Sequence, residues 1–296
     1  MRFRKTRAKS LASSCFSFAS NRIMPLPKIK LPVASEDTSA SVQRDLDRPT
    51  ASEIYQQVAK NARRELSRTN LALAVSGIVG GLTMGLTGLS VALVRAQLGS
   101  STVATFISMC FYPMGFMAVI LGRGQLFTEN TLYPVALMLT ERRHFWSTMR
   151  LWGIVFSANV VGAFLFALLA VRTSALRIEY ADTLAQLGVE AVHYPASHIF
   201  WSAVVGGWLI AMVAWLVSGS HSITGSVMLI WTLAFVVGLG HFAHCIATSG
   251  EILAAVLHGQ LGASQYFLWL GPAVLGNITG GVLLVTLLEY GQVNLE

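Results

Sequence analysis

Residues 240–251 read GHFAHCIATSGE and interrupt an apolar run, with SVMLIWTLAFVVGL (226–239) before them and ILAAVLHG (252–259) after. Neither flank is long enough to cross a bilayer, whose hydrocarbon core takes ~20 helical residues, but with the middle piece they are. The reading is one spanning segment broken at mid-depth, with His241, His244, Cys245, Thr248, Ser249 and Glu251 in the break. Polar groups at that depth are expensive and face a cavity or a pathway. Non-helical backbone is tolerated there only when buried in protein or lining a water-filled space. The expectation is a pore.

Composition agrees with a membrane setting. The 296 residues are 54% hydrophobic and 12% charged, well under the ~25% charged residues of soluble domains. Residues 1–69 hold 14 of the 21 Lys+Arg and 6 of the 14 Asp+Glu, and no lysine follows them. Charge confined to one end reads as a cytoplasmic tail rather than a nucleic-acid module. Cys15, Cys110 and Cys245 lie far apart with no metal or disulfide spacing and carry no assigned chemistry.

In chain order, residues 1–49 are expected to be a disordered basic tail, with MPLPKIKLP (24–32) extended by its prolines. No apolar run follows Met1 as in a signal peptide. A transit peptide, a start later than Met1 (at Met24) and plain disorder are the readings left open for this stretch. Residues 50–69 predict an interfacial amphipathic helix capped by Ser52, with Ile54, Val58 and Leu66 as a sparse apolar stripe. Residues 70–290 form the six-span domain, and 291–296 a C-terminal tail.

Whole spans are expected over 71–94, 151–171, 199–217 and 266–288. The second span, 102–121, breaks at GRGQLFTEN (122–130) and resumes for half a bilayer in TLYPVALMLT (131–140). ERRHFWSTMR (141–150) reads as a charged loop, and 172–198 as a polar connection on the opposite side. The fold class is therefore an all-α membrane protein of six transmembrane helices, a 3+3 inverted repeat with the second and fifth spans broken. An echo supports it: Ala158-Asn159-Val160-Val161-Gly162-Ala163 against Gly276-Asn277-Ile278-Thr279-Gly280-Gly281. Asn159 follows Thr128 by 31 residues, and Asn277 follows His244 by 33. The Lys/Arg of the tail and of ERRHFWSTMR put both termini in the cytoplasm.

Several chemistries compete for the breaks. His241 and His244 share a helical face and have the spacing of metal or haem ligands, but no further ligand set has suitable spacing, so no metal or cofactor is assigned. SGSHS (218–222) holds the residue types of a serine protease, yet at a span end. No Asn-Pro-Ala stands at either break. A buried histidine bonding a carbonyl between helices is the plain structural alternative for His244.

Gln125-Leu126-Phe127-Thr128-Glu129-Asn130-Thr131 resembles the loop of the formate/nitrite transporter family, where Leu-Phe-Thr interrupts the second span. His244-Cys245-Ile246-Ala247 is similar to that family's His-x-x-Ala, and 276–281 to its Gly-Asn-x-x-Gly-Gly. The resemblance covers about 70–290. It implies an aquaporin-like six-helix protomer in a homopentamer, each protomer with its own pore for a small monovalent anion or its conjugate acid. Formate, nitrite, hydrosulfide, acetate and lactate are the substrates it implies. Thr128 matches the loop threonine and His244 the central histidine. Tyr112, Phe116 and Val237 fall where the family narrows its pore. Phe127, Glu129, Asn159, Asn277 and Thr248 complete the candidate transport site. Ala243 and Thr248 replace the usual glutamate and asparagine beside the histidine, and Trp208 replaces an asparagine of the fourth span. Val192 or His193 replaces a lysine. These departures resemble the YfdC-type branch. His241 matches no family position and is expected to face away from the pore.

A mechanism follows from the residues. A bare anion in an apolar constriction faces a desolvation cost of up to tens of kcal/mol. Protonating a carboxylic acid of pKa ~4 at pH 7 costs about 4 kcal/mol, so crossing as the neutral acid is cheaper. A histidine between two constrictions supplies or relays that proton in this expectation, with Thr128 holding it. The expected partners are the substrate, the lipid of a bacterial inner membrane and further copies of the chain, not nucleic acid. The competing expectation is a non-transporting membrane scaffold whose basic tail recruits a partner.

Overall fold

The computed structural model describes residues 49–295, and all regular structure among them is helical. The expected basic tail lies outside the described residues apart from Pro49. In chain order the helices are α1 (Ala51–Leu66), α2 (Asn70–Leu98), α3 (Thr102–Met109) and α4 (Met114–Leu121). A 3-10 turn (Glu129–Thr131) leads into α5 (Tyr133–Glu141), then α6 (Phe145–Arg172), α7 (Ile178–Ala191) and α8 (Ala196–Gly219). Next come α9 (Ile223–Leu239), α10 (Ala247–His258) and α11 (Ala263–Thr279). α11 continues through a π-helical stretch (Gly280–Leu287) into α12 (Leu288–Leu295). Five stretches are long and apolar enough to cross a bilayer: Asn70–Leu98, Thr102–Leu121, Phe145–Arg172, Ala196–Gly219 and Ala263–Leu295. α9, with 17 residues, is shorter.

Two local readings are corrected and two gain detail. The cap of α1 is Thr50, not Ser52: its hydroxyl accepts the Glu53 N–H while the Glu53 carboxylate accepts the Thr50 N–H. Span 102–121 is not one helix; it turns at Cys110–Pro113, where proline lacks the N–H to continue the ladder. The polar connection 172–198 contains α7, whose small and apolar face (Ala181, Leu184, Ala185, Gly188) packs on α2 and α10. The expected C-terminal tail is helical to Leu295.

α1 packs on protein. Tyr55, Val58, Ala59 and Ala62 are buried against α5 and α8, and the Tyr55 hydroxyl donates to the Ala136 carbonyl at 2.7 Å. At its other edge Arg63 reaches Glu141, where His144 and Arg143 also converge. His144, Arg143 and Arg63, in that order, hold the Glu141 carboxyl down to about 2. A depressed carboxyl stabilises above its ordinary range, so this tie is lost only as pH falls toward 2.

Two tight helix pairs carry the fold, α2 with α6 and α8 with α11. A Cβ on Gly81 would meet the Asn159 backbone, and one on Gly207 the Asn277 backbone. In return, Gly162 lies against Ile78 and Leu82, and Gly280 against Val204 and Trp208. Backbones approach this closely only without side chains between them.

The same two pairs hold the interruptions. Asn159 Oδ1 accepts the Phe127 N–H at 2.8 Å, while its Nδ2 donates to the Gln125 and Gly77 carbonyls. Asn277 Oδ1 accepts the Cys245 N–H at 2.8 Å, while its Nδ2 donates to the Ala243 and Ala203 carbonyls. Each asparagine stands 32 residues after the amide it accepts. The bonds therefore register Phe127 with Cys245, two residues away from the Thr128/His244 alignment expected from the echo. Both asparagines are fully buried. A buried backbone hydrogen bond contributes ~0.5–1.5 kcal/mol net, and an orphaned partner costs ~1–3 kcal/mol.

Asn159→Leu or Asn277→Leu orphans three backbone groups and is expected to destabilise the protein by roughly 3 kcal/mol or more. Size-exclusion profiles after heating in detergent read this out as early loss of the native peak. Gly271→Ala, where an added Cβ meets nothing within 4 Å, is the control and stays at wild type. A leucine variant as heat-resistant as wild type contradicts the clamp.

Candidate functional site

The asparagine clamps bring the two loops face to face. Thr128 Oγ1 lies 2.8 Å from His244 Nε2, and both residues are fully buried. The Ala247 N–H donates to His244 Nδ1 at 3.1 Å. Nδ1 therefore presents its lone pair, and the ring hydrogen resides on Nε2, directed at Thr128. A second proton on the ring would displace the Ala247 amide. The edge of the His244 ring meets Phe116, with centroids 5.0 Å apart and planes at 80°.

A cavity lies on each side of this contact. The larger, ≈360 Å³, is lined among others by Tyr112, Val237, His241, Thr248, Glu251 and Trp269. The smaller, ≈70 Å³, is lined among others by Glu65, Ile120, Arg123, Gln125, Glu129 and Tyr133. Tyr112, Phe116 and Ile120 are successive turns along one stretch; the first lines the larger cavity and the last the smaller. Phe116 lines neither and is fully buried. Phe116, Thr128 and His244 thus separate the two spaces.

The candidate residues fall into three groups. Tyr112, Val237 and Thr248 line the larger cavity and Glu129 the smaller. Phe116, Thr128 and His244 stand between. Phe127, Asn159 and Asn277 line neither cavity. The Phe127 ring packs on Trp152 and Phe156 of α6, and the asparagines act on backbone. His241, expected to face away, is at the wall of the larger cavity instead.

Other groups at the site escaped the sequence reading. Glu65 of α1 accepts from Gln125 Nε2 at 2.9 Å, and Gln125 Oε1 accepts from Asn130 Nδ2. This chain runs from α1 into the break beside the smaller cavity. Its signal was present: Glu65 continues the Val58, Ala62 spacing on the buried face of the helix. Arg64 and Arg68 neutralise it. At the larger cavity, Glu190 is held bidentate by Arg95. Tyr194 and His198 join His193 there from the polar connection 172–198. Among the described residues no cluster of His, Cys, Asp and Glu is suited to a metal ion.

The formate/nitrite transporter family matches residues 52–291. The inner membrane protein YfdC of Escherichia coli K12 is 28% identical over 274 residues, which is 90% of this chain and 87% of YfdC. A probable formate transporter of Methanothermobacter thermautotrophicus is 30% identical over 196 residues, 60% of this chain and 72% of that one. Among solved structures, an FNT family ion channel superposes with a TM-score of 0.74 at 18% identity, over 81% of this chain and 99% of its own. A pentameric formate channel with formate bound gives a TM-score of 0.65 at 17% identity, over 77% and 98%. The chain belongs to the formate/nitrite transporter family, which makes it a multi-pass membrane transporter rather than an enzyme.

Proposed function

We propose that this chain conducts a small monovalent anion, of the formate/nitrite class, across a bacterial inner membrane as its conjugate acid. The observation that carries the reading is the Thr128–His244 contact, buried between two cavities. Two donors converge there. His244 Nε2–H points into the gap, and the Thr128 hydroxyl keeps its own hydrogen when it accepts from the ring. A carboxyl or nitrite oxygen passing between them would accept both bonds as the mutual contact opens. A neutral acid needs that help once it has left water; a bare anion would need far more.

The architecture fits a six-span, aquaporin-like 3+3 inverted repeat. The matched asparagine clamps support it, as do the matched glycine contacts. In this reading α3–α4 with α5 forms the second span and α9 with α10 the fifth. The aromatic contact of Tyr55 with Tyr290 brings α1 and α12 together, which favours both termini on one side. Lys60, Arg63, Arg64, Arg68, Arg142, Arg143 and Arg150 gather at that end, so the positive-inside rule makes it cytoplasmic. Homopentamer assembly is part of the proposal and draws on the pentameric relative. An apolar stripe on α2 (Leu71, Val75, Val79, Leu82, Leu86) is exposed in the protomer and available to lipid or a neighbour. The scaffold reading depends on a tail outside the described residues, and no feature of the described ones favours it.

Two outcomes are expected. Proteoliposomes should take up labelled formate or nitrite faster under an inward proton gradient. His244→Leu, which keeps bulk but removes the donor, should cut this at least ~10-fold, the size of one lost buried hydrogen bond. Gly271→Ala, where an added Cβ meets nothing within 4 Å, should leave it near wild type. No uptake above protein-free liposomes, or equal uptake by wild type and His244→Leu, contradicts the reading. Native mass spectrometry in mild detergent should give a pentamer; a stable monomer counts against assembly.

A further inference from the structure

We propose that Glu251 is the proton donor that neutralises the substrate anion before it reaches the constriction, an assignment that rests on the transport reading above. Glu251 is 9% exposed and lines the larger cavity. Its carboxyl makes no hydrogen bond or ion pair with any described residue. The other carboxylate lining that cavity is engaged: Glu190 is held by Arg95. Glu251 sits one turn beyond Thr248 on α10, and Gly88 of α2 makes room for it, since a Cβ there would meet its Cγ. A carboxyl with no counter-charge and no hydrogen-bond partner among the described residues is free to exchange its proton with what enters the cavity.

His244 is badly placed for the same task. It is fully buried outside both cavities, its Nδ1 is occupied by the Ala247 amide, and its one N–H faces Thr128. An anion entering the larger cavity meets Glu251 first. The Glu251 O–H bond breaks as a new O–H bond forms on the substrate. The neutral acid moves on to Thr128 and His244, and the glutamate remains as carboxylate. A proton from water on the same face restores it. The charged and titratable groups facing it across the cavity are Tyr112, Glu190 with its partner Arg95, His193, Tyr194, His198 and His241. The three histidines are bases on the route from that face and suited to pass the returning proton.

Formate uptake by the full chain in liposomes, measured at pH 7 and near pH 4.5, tests this. Glu251→Gln keeps the shape and loses the exchangeable proton. It should lower uptake about tenfold or more at pH 7 and approach wild type near pH 4.5, where a carboxylic acid of pKa ~4 arrives partly protonated. Glu251→Asp should restore much of the pH 7 rate. A fractional loss equal at both pH values means a structural role and overturns the proposal. So does an unchanged profile, or a gain at pH 7, which would mark Glu251 as a repelling charge. No uptake by wild type at any pH defeats the transport reading itself and this assignment with it. Should Glu251→Gln fail to fold, infrared difference spectra of wild type and Glu251→Asp decide. Formate must consume a protonated-carboxyl band that moves with the aspartate substitution; absence of that band overturns the proposal.

Discussion

Backbone that leaves the helix inside a bilayer has no water to bond, so its N–H and C=O groups must find partners in the protein. This chain meets that constraint with two asparagines. Asn159 and Asn277 each serve one N–H and two carbonyls, and each stands in a helix pressed by glycines against the helix it also bonds. The interruptions exist because those side chains can reach them. Thr128 and His244 then meet as a consequence: they lie next to the clamped amides of Phe127 and Cys245.

Much of this was legible in the amino-acid order, for identifiable reasons. The break showed itself because polar residues are conspicuous in an apolar run, but it ends at Ile246, with Thr248, Ser249 and Glu251 already in α10, and the Asn-x-x-Gly echo marked the clamps. Their role was not legible. An asparagine in a span looks the same whether it lines a path or holds backbone, and only the contacts separate the two. The connection 172–198 hid α7 because Ala181, Leu184, Ala185 and Gly188 form a weak stripe among charges. The place of His241 was hidden for a different reason: it has φ +49° in the loop, so helical spacing from His244 says nothing about its direction.

The groups at the two cavities and between them differ in kind. The larger cavity carries hydroxyls, histidines and a carboxyl without a partner among the described residues. The centre carries an apolar ring and two hydrogen-bond donors, and the smaller cavity is tied to α1 through Gln125 and Glu65. Of the departures that the family resemblance implies, Ala243, Thr248 and His193 line the larger cavity, while Trp208 lines neither. The centre retains its threonine and histidine.

The central claim is that Thr128 and His244 act as one unit through which substrate passes. A double-mutant cycle on transport tests it most directly: formate uptake by wild type, Thr128→Val, His244→Leu and the double variant in liposomes. If the pair is a unit, the double variant is no slower than the slower single, because the shared interaction is lost once. Losses that multiply in the double variant would mean that the two side chains act independently, and the account of the constriction would be wrong.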